Sequence, residues 1–329
     1  MGIKVDVRVP VGCPLPQLAG FIRRCEDAGF HGVGVHDHHH TGRDVYVALA
    51  VAAAGTATLR LYPATSNSVT RHPLVLAALA SSLAEIAPGR VHLTLAPGFL
   101  SVERAGEAPA RRAQLAQTVT TVRELLRGSS VPVGDTETSL RFPADAVPPV
   151  FVLASGPRLL ELAGEVADGV MLLAGLHPQG LEAARAHVRA GARRAGRDPA
   201  EVTEIHIVPT AIGPAEEARE WPRRWFRPGK PFLTYPSASN LRWLRAAGID
   251  VPDDHRPEEL PDSVVERICD AFGLFGPAEH CAERLLRARE EAGVDHVFLF
   301  PSHTADQSYE LPVREVEAFS RVIGPRLAG

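Results

Sequence analysis

The residues best equipped for chemistry stand together in one run, His36-Asp37-His38-His39-His40. Four imidazoles and a carboxylate in five positions are costly to bury without partners and unusual in a solvated turn. They follow Gly32-Val33-Gly34-Val35, the small and apolar residues of a buried strand, so the run stands where that strand opens at its C-terminal end. Three readings fit these residues taken alone. Alternation puts His36, His38 and His40 on one face as an HxHxH zinc set, although no later group of Asp and His ligands accompanies it. Alternatively, Asp37 and His38 give a hydrogen-bonding pair and a titratable acid beside a bound organic ring. In the third reading the histidines form a solvated loop.

A second candidate is Ala154-Ser155-Gly156-Pro157, a turn that closes the apolar run Val150-Phe151-Val152-Leu153 and opens a helix. Unpaired backbone N–H groups, the helix dipole and the Ser155 hydroxyl suit an anion there, most readily a phosphate, with Arg158 adding charge nearby. A plain N-cap followed by proline at the first helical position fits the same residues.

The elements that would position these groups repeat a strand-then-helix rhythm. Strands are expected at residues 3–9, 32–35, 58–64, 91–96, 150–154, 168–173, 203–210 and 295–300, each answered by a helix. Thr70-Arg71-His72-Pro73 opens one helix and Pro88-Gly89 stops it; Leu115, Val119, Val122 and Leu126 recur at helical spacing in another. Eight such units with right-handed crossovers close into a (β/α)8 TIM barrel, an α/β fold of a single domain spanning 1–329. Two interruptions, at about 128–149 and 213–262, are expected to lie over one end; the second carries Trp221, Trp225 and Trp243 with Phe232 and Tyr235.

In such a barrel the reactive groups gather at strand C-termini. The reading places there Asp6 and Arg8, the His36–His40 run, Thr65 to Asn67, Pro97 to Phe99, Ser155-Gly156, Gly175 and His177, Pro209-Thr210, and Pro301 to His303.

Composition narrows the partners. The 329 residues are 45% hydrophobic, with a net charge of −4, so no basic footprint for nucleic acid or an anionic membrane surface is present and a small-molecule substrate is expected. No stretch approaches the roughly 20 apolar residues of a membrane span. Residues 1–9 alternate like a strand instead of forming a signal peptide, which points to the cytoplasm. Cys13, Cys25, Cys269 and Cys281 are scattered, without a CxxC pair, and read as reduced structural thiols.

Taken together, Gly29-Phe30-His31-Gly32-Val33 through Asp37-His38, Arg43-Asp44-Val45-Tyr46, Thr70-Arg71-His72-Pro73, Gly89-Arg90-Val91, Ala154-Ser155-Gly156-Pro157 and Leu160 through Val170 resemble the bacterial luciferase-like superfamily of flavin and deazaflavin (F420) enzymes. Within it the chain is most similar to the methylenetetrahydromethanopterin reductase-like branch, and the similarity runs on through Gly276-Pro277-Ala278-Glu279 and Ala292 to Val297. The resemblance implies a cofactor ring over the barrel mouth, coenzyme F420 or alternatively FMN, with Asp37 and His38 beside it. It implies further that Ala64, Thr65, Ser66 and Asn67 lie behind the ring, where F420-dependent members often carry a non-proline cis peptide. Pro97 and Gly98 would also touch the cofactor, Ala154, Ser155, Gly156 and Pro157 would hold its phosphate, and Gly175 would be a further phosphate-side position.

On that basis His38 is the candidate for the proton that accompanies hydride transfer, with Asp37 orienting it or bonding the ring. Two departures stand out. Phe99 replaces an acidic residue usual in the methylene-reductase branch, which argues against the pterin substrate, and Leu176 replaces a basic residue that some F420 enzymes place near the phosphate. The expectation is an F420-dependent oxidoreductase, as a homodimer. An FMN-dependent monooxygenase, a zinc-dependent hydrolase and a barrel without cofactor remain as alternatives.

Overall fold

The computed structural model describes residues 2–225, 238–253, 255–302 and 307–328. Twelve strands are present among them: β1 (Lys4–Val9), β2 (Gly32–Val35), β3 (Arg60–Pro63), β4 (Ser66–Asn67), β5 (Leu93–Ala96), β6 (Val131–Val133), β7 (Thr136–Thr138), β8 (Val150–Ala154), β9 (Gly169–Leu172), β10 (Thr203–Ile212), β11 (Leu274–Gly276) and β12 (His296–Pro301). Ten of them form one parallel sheet in the order β3-β2-β1-β12-β10-β9-β8-β5-β4, with β11 alongside β10. Because β3 and β4 are two halves of one barrel strand, and Leu61 also bridges Val91, the ends of that order meet and the barrel closes. This is the eight-unit TIM barrel the rhythm implies.

Period two decides which side chains fill it. Val5, Val7 and Val9 of β1 join the outer core under the helices, while Tyr62, Phe151, Met171, Ile205, Ile207 and Phe298 belong to a separate inner cluster. The helices bury one apolar stripe each. Leu15–Asp27 buries Leu18, Phe21, Ile22 and Cys25 at helical spacing, and each such side chain contributes about 1.5–3 kcal/mol on full burial.

Three features depart from the expected rhythm. The third barrel strand is broken, with β3 paired to β2 and β4 to β5, and the peptide bond Ala64–Thr65 between the halves is cis. The first interruption contains the antiparallel hairpin β6–β7. Among its described residues the second contains helices Ala215–Ala218, Trp221–Trp225 and Ala238–Ala246; helix Asp262–Phe272 and β11 follow it, β11 being a short strand whose apolar run is too brief to separate from its surroundings by pattern.

Candidate active site

Asp37 leaves the end of β2 fully buried, and its surroundings explain how a carboxylate is tolerated there. Its Oδ2 accepts a hydrogen bond from Ser66 Oγ at 2.6 Å and a charge-assisted one from Arg71 Nη1. Arg71 also pairs with Asp44 at 2.6 Å, and Asp44 caps helix Val45–Ala54 by accepting from the Tyr46 and Val47 amides at 2.8 and 3.2 Å. Tyr46 Oη closes the ring of contacts at 2.9 Å from Ser66 Oγ, and the Arg71 guanidinium lies over its aromatic face. Asp37 Oδ1, by contrast, accepts no hydrogen bond among the described residues; His39 Nδ1 is 3.3 Å away without the alignment of one.

The remaining histidines divide among other partners. Buried His36 receives the Arg8 Nε–H at 2.5 Å, and Arg8 itself lies over Phe300 and reaches the Ser308 carbonyl at 2.6 Å. Burial brings the Arg8 guanidinium down to about 9. His38 Nδ1 and His40 Nε2 both meet Tyr309 Oη, at 2.9 and 2.8 Å. His39 Nε2 pairs with Thr70 Oγ1 at 2.9 Å. Each ring of the run thus has a protein partner. Among the described residues, the group with metal-ligand spacing is Asp6, His31 and His296.

Among the described residues, Asp6 is a strand-end assignment that needs correcting. It precedes Arg8 by two residues on the same strand face, where Tyr62 Oη donates to it at 2.7 Å and His31 and His296 flank it at 3.1 and 2.9 Å. His31 and His296 enter their strands, so Asp6 belongs to the N-terminal half of the barrel and not to its mouth. Burial alone would raise its pKa, but His296 and His31 hold it below the ordinary carboxylate range.

The other expected positions come together around the mouth. Asn67 Oδ1 accepts from the Val69 and Thr70 amides at 3.0 and 2.9 Å, fixing the turn after β4. Gly98 has φ +88°, and a Cβ there would stand 2.2 Å from Val102, so this approach requires glycine. Phe99 is 44% exposed. Gly156 precedes helix Pro157–Val166 without a side-chain cap; Pro157 carries no N–H and the Leu159 and Leu160 amides both donate to the Gly156 carbonyl, so the Arg158 amide is the one donor of that first turn left for an anion. Gly175 has φ +80°, with the Ala271 carbonyl pressed against it.

The sequence did not single out Tyr309, Arg71, Ser239 and Trp243 as parts of this region. Trp243 is 2% exposed and donates from Nε1 to the Ser155 carbonyl at 2.8 Å, and a Cβ on Gly156 would meet Ser239 Oγ at 2.9 Å. The second interruption therefore docks on the Ser155 turn through its buried helix. Phe232, Tyr235 and His303 lie outside the described residues, as does the side chain of Trp225.

No helix among the described residues is long and apolar enough to cross a membrane. The family model described as luciferase-like monooxygenase matches residues 3–296. A 5,10-methylenetetrahydromethanopterin reductase of Methanolobus tindarius is 36% identical over 198 residues, 57% of this chain and 59% of that protein. The chain thus spans about three-fifths of the length of the reductases it matches. An F420-dependent glucose-6-phosphate dehydrogenase of Beutenbergia cavernae is 29% identical over 94% of this chain and 93% of its own. Among solved structures, an F420-dependent secondary alcohol dehydrogenase superposes with a TM-score of 0.73 at 19% identity, over 99% of each chain. With a match covering nearly the whole barrel, the chain belongs to the luciferase-like monooxygenase family.

Proposed function

We propose that the protein is an F420-dependent oxidoreductase that transfers a hydride between the deazaflavin and a small organic substrate. The observation that carries this reading is the buried Asp37 Oδ1 at the mouth, an acceptor with no hydrogen bond among the described residues in a ring of otherwise satisfied polar groups. An unmet buried acceptor costs about 1–3 kcal/mol and fits the N–H edge of a ring system. The whole-length relative that uses F420 supports the choice of cofactor.

The bound deazaflavin would supply the hydride chemistry. Asp37, Ser66 and Asn67 would hold its ring edge, and Ser155 with the Arg158 amide would hold its phosphate. Arg71 orients the Asp37 carboxylate. His38, tethered through Nδ1 to Tyr309, holds or delivers the proton that balances hydride transfer to the substrate. Phe99 presents an apolar surface where the pterin reductases use an acid, which favours a less polar substrate.

The second reading, an FMN-dependent monooxygenase, is favoured by the likeness to a long-chain alkane monooxygenase at TM-score 0.70. Anaerobic titration with each cofactor separates them: saturable F420 binding at micromolar concentration with FMN at least tenfold weaker supports the first, and the reverse order overturns it. Four free thiols suit a reducing compartment, consistent with action in the cytoplasm. A homodimer is supported by helix Val45–Ala54, apolar on every face, which leaves Val47 and Val51 51% and 42% exposed one turn apart.

A further inference from the structure

Beside the end of β9, a cleft of about 410 Å³ opens between the start of helix Pro178–Arg194, helix Asp262–Phe272 and helix Ala278–Ala292. Arg284 lines it and is only 8% exposed, yet among the described residues its guanidinium makes no hydrogen bond or ion pair, and Nε and Nη2 are both buried and unmet. His177 Nδ1, at the same wall, is likewise buried and unmet. A buried guanidinium that makes no hydrogen bond is costly, and an anion that met it would offset that cost.

The surroundings specify an anion. Arg267 and Arg287 add two further guanidinium groups. Helix Pro178–Arg194 begins here with no side-chain cap, and Gln179 in its first turn lines the cleft, so its open amides and dipole point the same way. Two acids, Asp270 and Glu291, line the same cleft and act on Arg284 through space without a hydrogen bond or ion pair to it, and Asp270 is shared with Arg219 at 3.0 Å, so the three guanidinium groups still outnumber them.

We propose that this cleft binds a phosphate or carboxylate group through Arg284, Arg267 and the first turn of helix Pro178–Arg194. The anion comes either from the acidic tail of the cofactor seated at the mouth or from a free phosphorylated metabolite. The first source rests on the function proposed above; the second does not.

The test uses the full chain. Thermal melting is followed with inorganic phosphate against chloride at matched ionic strength, and affinity is measured for F420 and for its riboside, which lacks phosphate and tail. Arg284→Met keeps the side chain's length and removes an unpaired buried charge, so it is expected to melt at or above the parent temperature without ligand. Phosphate should stabilise the parent and not the variant. If F420 binds the parent about 10- to 100-fold more tightly than the riboside, and Arg284→Met erases that difference, the tail is the occupant. Equal binding of F420 and riboside with a persisting, Arg284-dependent phosphate effect supports the site and assigns it to a free anion. Should neither deazaflavin bind, the proposed function fails and the phosphate arm still decides the cleft. Phosphate no better than chloride, with F420 binding unchanged in Arg284→Met, overturns the proposal; if the variant does not fold, the parent's response to phosphate alone decides between the two outcomes.

Discussion

Ser66 donates to Asp37 across 2.6 Å and so ties the exit of β2 to the second half of the broken third strand. The bond is buried, one partner is charged, and Ser66 Oγ also meets Tyr46 Oη. Ser66→Ala leaves both partners short of a hydrogen bond. The variant is expected to lose about 2–3 kcal/mol of stability, read as a lower denaturant midpoint at unchanged slope.

His38 and Tyr309 separate proton handling from binding. His38→Ala is expected to cut turnover about 10²- to 10⁴-fold, because positioned proton transfer is worth that much, with F420 affinity changed far less. Tyr309→Phe removes the hydroxyl shared by His38 and His40 and should lower kcat about tenfold with F420 affinity within twofold. Single-turnover kinetics beside equilibrium titration checks both; turnover unchanged in His38→Ala refutes the proton role.

Acid stability is set by two buried imidazoles. Burial pushes His92 and His206 down to about 3, from an ordinary value of 6.5. Between those values the unfolded chain takes up two protons that the folded chain refuses. Stability is therefore present above about pH 6.5 and is lost as pH falls, by about 1.4 kcal/mol per pH unit for each histidine. His92 stacks on Tyr62 at 3.8 Å, so His92→Phe keeps the stack. Denaturant unfolding of that variant between pH 6 and pH 4 should show about half the pH slope of the parent from this pair.

The apolar face of helix Val45–Ala54 predicts self-association. Val47→Glu together with Val51→Lys should give a monomer by light scattering if the parent is a dimer through this face, with little change in the melting temperature of the isolated barrel. An unchanged dimer mass places the interface elsewhere.

Much of the barrel was legible because its strands are buried on both faces and its helices carry one stripe each, so the change of period from 2 to 3.6 marks every unit. The break at Ala64–Thr65 was approached only through family resemblance, since nothing in Pro63-Ala64-Thr65-Ser66 marks it locally. Asp6 was misplaced because alternation puts Asp6 and Arg8 on the same inner face without telling the two ends of the barrel apart. Arg71 and Tyr309 were missed for another reason: their partners are 34 and 271 residues away, and no local spacing records such contacts. His36–His40 were visible as a site from type alone, but which partner each ring meets required the fold.

A structure of the protein with F420 bound tests the central claim most directly. The account predicts the deazaflavin ring at the barrel mouth with its N–H edge within hydrogen-bond distance of Asp37 Oδ1. A ring bound elsewhere, or a mouth already filled by the chain's own side chains, would contradict it.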